Sequence, residues 1–201
     1  MMGEEAGQLG STRSFETAEG ALTYPVLSER LAVSLARILD RLLRTPSHEI
    51  DITPEWLCRK HCELAGHLFP EWAGRFRTLD VKVGTLEPPS YYQVPVLVRT
   101  FCDDLAERLR HLEDDKLPEI AGLLAWVDWR FQWIHPFKDF NGRIGRLVLA
   151  ALLYKLALPP VETAPTDPEG RREYLEALRA GDAGDLAPLQ QLWIRRLGTA
   201  I

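Results

Sequence analysis

The stretch HPFKDFNGRIGR, residues 135–146, places several chemically useful side chains close together. His135 is the only one of them that exchanges a proton near neutral pH, so it is a candidate general base. Asp139 offers carboxylate oxygens, the ligands that Mg²⁺ prefers. Asp139 lies in a turn, KDFNG, whose residues favour turns or tolerate unusual backbone angles. The next predicted helix follows this turn. The stretch therefore combines a base, a metal-binding carboxylate and the start of a helix.

The start of that helix is suited to an anion. Helix N-termini present amide groups without a helical partner and carry a partial positive charge. Arg143 and Arg146 are three residues apart and share a helix face. Their charge opposes the helix dipole unless an anion is bound, and arginine binds phosphate oxygens in pairs. Gly142 allows close approach of the backbone to such a ligand. The pattern predicts a polyphosphate site.

Helices are predicted on both sides of this stretch. Apolar residues recur at helical spacing, and prolines separate the segments. The predicted helices cover residues 25–44, 54–69, 96–112, 118–134, 143–158, 170–180 and 186–197. Thr53 is a predicted helix cap before Pro54. Residues 81–83 are the only strand-like segment. We therefore expect an all-α fold, with residues 1–24 as a flexible or loosely packed leader and residues 25–201 as a single domain.

Composition excludes several classes of protein. The net charge of −5 argues against binding to duplex nucleic acid. The polar N-terminus lacks the apolar stretch of a secretory signal. The sequence contains no run of about 18 apolar residues, so we expect no membrane span. The three cysteines favour reduced thiols and a cytoplasmic location. Cys58, His61 and Cys62 are an alternative metal site, although their spacing matches none of the usual zinc patterns.

The stretch 135–146 resembles the signature of the Fic family, His-x-Phe-x-(Asp/Glu)-Gly-Asn-Gly-Arg-x-x-Arg. Upstream, LFPEWAGRFRTLDVKVG and PPSYYQVP are similar to the segments that lead into and out of that family's β-hairpin flap. Downstream, REYLEALRAGDAGDLAPLQQLW resembles its closing segment. Together these matches cover roughly residues 50–197. The resemblance implies a Fic-type helical domain with a short β-hairpin flap near the active site.

The resemblance also implies an activity, the Mg²⁺-dependent transfer of AMP from ATP to a Ser, Thr or Tyr hydroxyl of a target protein. Matched by position, His135 is the base that deprotonates the hydroxyl. Asp139 holds Mg²⁺ between the α- and β-phosphates. The positions that bind the nucleotide's phosphates are Phe140, Asn141, Gly142, Arg143 and Arg146. Phe137 is a buried anchor behind the loop.

Two further regions acquire roles from the resemblance. Tyr174 would stack on the purine, and Asp182 would accept a hydrogen bond from its amino group. An exposed strand edge can pair with an extended target segment through main-chain hydrogen bonds. The flap residues that would dock the target protein in this way are Val81, Lys82, Val83, Gly84 and Thr85.

One residue departs from the family pattern, because Phe140 stands where the signature has glycine. Glycine adopts positive φ freely, whereas phenylalanine does so with strain. Two other functions therefore remain open. One is Doc-type phosphoryl transfer, against which Gly142 argues because Doc proteins have lysine there. The other is a catalytically weakened nucleotide-binding or interaction module.

Control of the activity is a separate question. Many relatives carry an inhibitory helix that reads (Ser/Thr)-x-x-x-Glu-(Gly/Asn). Glu19 precedes a glycine, but Phe15 stands where serine or threonine is required. Because the chain lacks a match, restraint by a small antitoxin-like protein is one expectation. The alternatives are restraint by the altered loop at Phe140, no restraint at all, and the near match at Glu19, whose carboxylate would pair with Arg146.

Overall fold

The computed structural model describes residues 14–84, 86–113 and 116–199, and a β-hairpin followed by helices makes up its regular structure. The elements are β1 (Ser14–Thr17), β2 (Gly20–Thr23), α1 (Tyr24–Arg44), α2 (Pro54–Ala65), α3 (Val94–Arg110), α4 (Leu117–Ile134), α5 (Asn141–Lys155), α6 (Pro168–Asp182) and α7 (Ala187–Gly198). Short 3₁₀ turns occupy Ser47–Glu49 and Tyr91–Gln93. The predicted all-α fold is confirmed, and most predicted helix ends fall within two residues of the observed ones.

The centre of the fold is α4, which packs against α3, α5, α6 and α7. Its sequence, LPEIAGLLAWVDWRFQWI, is apolar on more than one face because neighbours surround it. Phe131 and Ile134 are fully enclosed near its C-terminal end. The next helix, α5, is buried along most of its length from Asn141 to Leu153. The loop between these two helices is therefore anchored at both ends in the core.

The start of α2 follows from local chemistry. Thr53 has an extended backbone, and its hydroxyl accepts a hydrogen bond from Trp56 N at 3.1 Å. Pro54 occupies the first helical position, where its missing N–H costs nothing. The helix ends at Ala65 rather than at the predicted position 69, and tight turns continue to Gly74. These turns bring the segment 66–76 against the loop that precedes α5.

Regular β-structure lies in a part of the chain for which the sequence predicts a loose leader. Residues 14–23 form an antiparallel hairpin in which Phe15 pairs with Leu22. Both side chains pack against the core, and Ala18 N donates to Leu68 O at 2.8 Å. Residues 14–23 are therefore packed against the domain and not loose as predicted. Residues 1–13 of the predicted leader lie outside the described residues. The hairpin places Glu19 in a turn, not in an inhibitory helix.

The predicted flap strand is wrong in extent. Val83 and Leu86 form one antiparallel bridge, with Val83 N to Leu86 O at 3.0 Å and Leu86 N to Val83 O at 2.9 Å. Gly84 takes a left-handed φ of 58° between them. Val81 and Lys82 belong to no strand, and Thr85 lies outside the described residues. The flap is thus a tight turn closed by a single bridge rather than a regular hairpin.

None of the helices within the described ranges has the length and apolar character needed to cross a bilayer.

The cap of α2 gives a prediction with a built-in control. Thr53→Ala removes the hydroxyl that accepts from Trp56 N, so the free energy of unfolding should fall by about 1 kcal/mol. Thr23→Ala is the control, because Thr23 also occupies the N-cap position, with a proline two residues later, but its side chain makes no capping hydrogen bond. Urea unfolding followed by circular dichroism measures both. An equal loss in the two variants would contradict the assigned cap.

Candidate active site

The loop from His135 to Phe140 joins α4 to α5 and has a left-handed backbone at each end. His135 has φ 49° and ψ 60°, and Phe140 has φ 61° and ψ 17°. L-residues with a side chain avoid this region, at a cost of roughly 1–2 kcal/mol each. The left-handed residues end α4 and begin α5, so the chain reverses within a few residues. Other contacts of the loop must offset that cost.

Asn141 supplies one such contact. Its Oδ1 accepts from Phe137 N and its Nδ2 donates to Phe137 O, both at 2.9 Å. The side chain is fully buried, so removing it would leave two buried backbone groups unpaired. This pair of bonds closes the loop against the first turn of α5. Only the backbone amide of Asn141 is left for the predicted anion site.

The helical hydrogen bonds of α5 begin after its first two amides. The first helical bonds run from Arg143 N and Ile144 N to Phe140 O, at 3.0 and 3.1 Å. The amides of Asn141 and Gly142 precede these bonds, in the positions where helices bind anions. The amide of Phe140 donates instead to Asp139 Oδ1 at 2.7 Å. The backbone amide of Phe140, a predicted donor to the anion, is therefore already used in a hydrogen bond within the loop.

His135 is held in the form that a base requires. Its Nδ1 lies 3.3 Å from Gln132 O, and because a carbonyl only accepts, Nδ1 carries the proton and Nε2 the lone pair. The residue is 9% exposed. The pKa of His135 is lowered to about 4, mainly by burial, with a smaller contribution from the positive charge of Arg77, and the hydrogen bond to the Gln132 carbonyl opposes both. The imidazole is thus neutral at pH 7.

Asp139 lies at the partly exposed rim of the loop, one residue before Phe140. No cluster of three or more histidine, cysteine, aspartate or glutamate side chains among the described residues could hold a metal ion. Mg²⁺ does not need such a cluster, since it is commonly held by one or two carboxylates, substrate phosphates and water. A single carboxylate at this rim fits a Mg²⁺ that arrives with a nucleotide.

The two arginines of the motif are half-buried on α5. Arg143 Nη2 donates to Ser28 Oγ of α1 at 3.2 Å, and its guanidinium lies 5.6 Å from the centre of the Phe140 ring. Arg146, one turn later, lies close enough to Asp128 for its charge to lower the pKa of that carboxyl. Burial has the larger effect and raises the pKa of Asp128 to about 6. The arginines are thus positioned by α1 and by the core face of α4.

The two residues predicted for the purine have protein partners in this structure. The Tyr174 hydroxyl donates to Asp128 Oδ1 at 2.7 Å, and Trp129 Nε1 donates to Asp182 Oδ1 at 3.0 Å. Both bonds hold α6 against α4. The purine contact of Tyr174 and Asp182 stays a prediction, and any base that used the Asp182 carboxylate would compete with Trp129 for it.

Comparison with known proteins identifies the family of this chain. A sequence profile of the Fic/DOC family matches residues 51–153, about half of the chain. The chain belongs to the Fic/DOC family. It is 31% identical over 137 residues to the protein adenylyltransferase Fic of Nematostella vectensis, which covers 68% of this chain and 30% of that protein. For the Drosophila melanogaster protein of the same name the identity is 31% over 140 residues, with 70% and 27% covered. The chain therefore spans less than a third of these relatives.

Solved structures show the same fold. BepC of Bartonella tribocorum, determined with bound AMPPNP, superposes with a TM-score of 0.73 at 18% identity and covers 92% of this chain and 93% of that one. Fic-1 (residues 134–508) of C. elegans gives a TM-score of 0.65 at 24% identity, with 85% and 47% covered. The Fic fold thus extends over nearly all of this chain, beyond the segment that the family profile matches.

This Fic domain accommodates Phe140 by packing its ring into the protein. The side chain is 3% exposed, and its ring centre lies 5.6 Å from that of Phe69 and 5.7 Å from that of Trp72. Fully burying a phenylalanine is worth roughly 1.5–3 kcal/mol, and its deletion costs more. Burial therefore offsets the strain of the positive φ. The ring serves as an anchor for the loop.

His61 is a residue of the site that the motif does not reveal. Its ring stacks on Phe137 at 4.0 Å, Nδ1 accepts from Gly74 N at 2.8 Å, and Nε2 lies 3.1 Å from Asp139 O. Because Nδ1 accepts, Nε2 carries the proton and donates to that carbonyl. Burial lowers the pKa of His61 to about 4. The histidine thus joins the Gly74 turn to the loop beside Asp139.

The alternative metal site at Cys58, His61 and Cys62 is wrong for this structure. Both ring nitrogens of His61 are used in hydrogen bonds within the protein. Burial raises the pKa of Cys58 to about 11, so this thiol is protonated at neutral pH, whereas zinc binds the thiolate. The role of His61 is structural support of the loop.

Replacing Phe140 tests whether packing outweighs strain. Phe140→Gly relieves roughly 1–2 kcal/mol of left-handed strain but loses about 3–5 kcal/mol of packing. The difference predicts that the free energy of unfolding falls by about 1–4 kcal/mol in urea titrations. The control is Ala157→Gly, because Ala157 also has a positive φ of 54° but is exposed.

Ala157→Gly should stabilise the protein by up to about 1 kcal/mol, since it relieves strain without losing a buried side chain. If Phe140→Gly also stabilised the protein, the ring would not be the anchor that we describe.

The two buried histidines give a prediction about pH. Since the pKa values of His61 and His135 are lowered to about 4, their ¹³Cε1 resonances should titrate near that value. In the unfolded chain both bind protons near pH 6.5. The free energy of unfolding should therefore fall as the pH drops from 6.5 to 4, since the unfolded state takes up protons first.

The measurement is a histidine NMR titration combined with urea unfolding at several pH values. Between pH 4 and 6.5, His61→Gln should reduce by about one the number of protons taken up on unfolding, which the slope of the free energy of unfolding against pH reports. His111→Gln, at an exposed histidine, is the control for a surface substitution. A midpoint near 6.5 for His135 would refute the buried, neutral imidazole.

Proposed function

We propose that this Fic domain transfers AMP from ATP to a Ser, Thr or Tyr hydroxyl of a target protein. The observation that carries the proposal is the neutral His135, with its Nε2 lone pair, in the same short loop as the N-terminus of α5. The relatives named protein adenylyltransferase and the AMPPNP complex of BepC support it. The chain spans only 30% of the Nematostella relative.

The nucleotide's phosphates would bind at the start of α5. The amides of Asn141 and Gly142 and the partial charge of the helix attract anions, and Arg143 adds a guanidinium near the same end. Arg146 would meet the more distant phosphates from the next turn. Mg²⁺ held by Asp139 would supply charge neutralisation of the phosphates. Positioning and electrostatics of this kind provide most of the acceleration in phosphoryl-type transfers.

His135 would move the proton. Its Nε2 accepts the hydrogen of the target hydroxyl while the hydroxyl oxygen forms a bond to the α-phosphorus. The bond from that phosphorus to the oxygen that bridges to the β-phosphate breaks, and pyrophosphate leaves with the electron pair. The Gln132 carbonyl fixes the Nδ1–H tautomer, so the lone pair stays on the atom that takes the proton.

Two alternatives make different predictions. Doc-type transfer would move the γ-phosphoryl group, and ATP labelled at the α- or the γ-phosphorus separates it from AMP transfer. A binding module without chemistry would incorporate neither label, although isothermal titration would still detect ATP·Mg²⁺. We favour AMP transfer because every polar side chain of the signature is present and Gly142 stands where Doc proteins have lysine.

The proposal includes partners and a location. The target protein would approach the exposed flap at residues 80–86, with ATP and Mg²⁺ in the loop. Restraint would come from a small antitoxin-like protein. A cytoplasmic location agrees with the three free cysteines, Cys58, Cys62 and Cys102.

Replacement of the base provides the main test. His135→Ala should lower incorporation of label from α-labelled ATP into lysate proteins by roughly 10²–10⁴-fold. The ATP·Mg²⁺ dissociation constant should change by no more than about twofold, because the base acts on the hydroxyl and not on the nucleotide. His111→Ala, at an exposed histidine, is the control. Undiminished incorporation by His135→Ala would exclude His135 as the base.

A further inference from the structure

Arg77 is a buried arginine that the proposed reaction does not use. Its side chain is 1% exposed, and it lies in the segment between the Gly74 turn and the flap. Burial of a guanidinium is costly unless its N–H groups are satisfied. Burial lowers the pKa of Arg77, with partial compensation from Asp80. The hydrogen-bond acceptors of the Arg77 guanidinium therefore indicate what this residue does.

One set of its hydrogen bonds goes to the start of the loop at residues 135–140, which is the catalytic loop of the proposed reaction. Nε donates to His135 O at 2.8 Å, and Nη2 lies 3.4 Å from Ile134 O. The backbone amide of Arg77 donates to Pro136 O at 2.9 Å. These three carbonyls belong to consecutive residues at the left-handed turn that ends α4. The arginine therefore fixes the backbone that carries the imidazole.

The other set goes to the two ends of the flap. Nη1 donates to Leu79 O at 3.2 Å, and Nη2 donates to Pro89 O. Asp80 lies 3.7 Å from Nη1, and its Oδ1 also accepts from Tyr91 N at 2.8 Å. The chain leaves the flap base at residue 79 and returns at residue 89, so one guanidinium joins both chain segments of that base to the loop between α4 and α5.

We propose that Arg77 is a positioning residue that fastens the flap to the catalytic loop and so holds a docked target hydroxyl in register with His135. The inference rests on the proposed function, because it assigns the flap to the protein target. The planar guanidinium with five N–H donors suits this role. Lysine would keep the charge but could not reach carbonyls on both sides at once.

A purely structural role predicts something different. If Arg77 only filled the core, its replacement would lower stability throughout and leave flap mobility and target transfer in the folded protein unchanged. If it is a positioning residue, the flap should loosen selectively. Transfer to a protein should fall while nucleotide affinity is kept, because small misplacements of reacting groups cost rate rather than ATP binding.

The test uses Arg77→Lys, with Arg75→Lys as the matched control at an exposed arginine two residues away. In Arg77→Lys, amide exchange measured by mass spectrometry should rise about tenfold or more in residues 79–91 and stay unchanged in α5 and α7. Transfer from α-labelled ATP to lysate proteins should fall about tenfold or more, with the ATP·Mg²⁺ dissociation constant within about twofold of the parent. Arg75→Lys should match the parent in every measurement.

Folded Arg77→Lys protein with the parent's flap exchange and transfer would overturn the proposal. Asp80→Ala is the second variant should Arg77→Lys not fold, since the Asp80 carboxylate is 64% exposed. It removes the ion pair with Arg77 and the acceptor of Tyr91 N, so exchange in residues 79–91 should rise to a smaller extent, and unchanged exchange there would refute the fastening. If the parent transfers no AMP, the proposed function fails, and flap exchange alone then decides whether Arg77 fastens the flap.

Discussion

The active site depends on a loop that reverses direction between two left-handed, non-glycine residues. His135 and Phe140 each cost roughly 1–2 kcal/mol in this conformation. Burial of the Phe140 ring and the two hydrogen bonds between Asn141 and Phe137 offset that cost. Outside the loop, His61 and Arg77 hold its carbonyl groups. The core of the domain thus offsets the strain of the loop, together with one buried polar residue on each side, His61 and Arg77.

This arrangement links packing to the proposed chemistry. A loop that is fixed before the nucleotide binds presents amides, arginine and base without further ordering, so the cost of organising the site falls on folding and not on the reaction. The same contacts that keep His135 buried also keep it neutral. Phe140 takes a left-handed conformation that the expected glycine would adopt without strain, and the domain encloses its ring. The departure from the family signature is therefore compatible with a formed site.

Prediction from sequence succeeded where the signal is local. Helix boundaries follow from apolar spacing, capping residues and proline, as at Thr53, and the signature identifies the loop from its own residues. The contributions of His61 and Arg77 were not predicted, because they arise from contacts across 78 and 58 residues of sequence. The hairpin at residues 14–23 was missed since its strands are short and polar. The flap was overestimated because the alternation at residues 81–83 is too short to specify a ladder.

Amide exchange measured by NMR without nucleotide tests the central claim, a loop formed in advance. Phe137 N donates to Asn141 Oδ1 and Phe140 N donates to Asp139 Oδ1, so both amides report on the loop. The account predicts that Phe137 N, which is fully buried with its partner, exchanges nearly as slowly as the core of α5, and that Phe140 N is protected as well. Addition of ATP·Mg²⁺ should add little protection at Phe137. Exchange at Phe137 near the rate of an unstructured peptide, with protection only after nucleotide addition, would contradict a preformed loop.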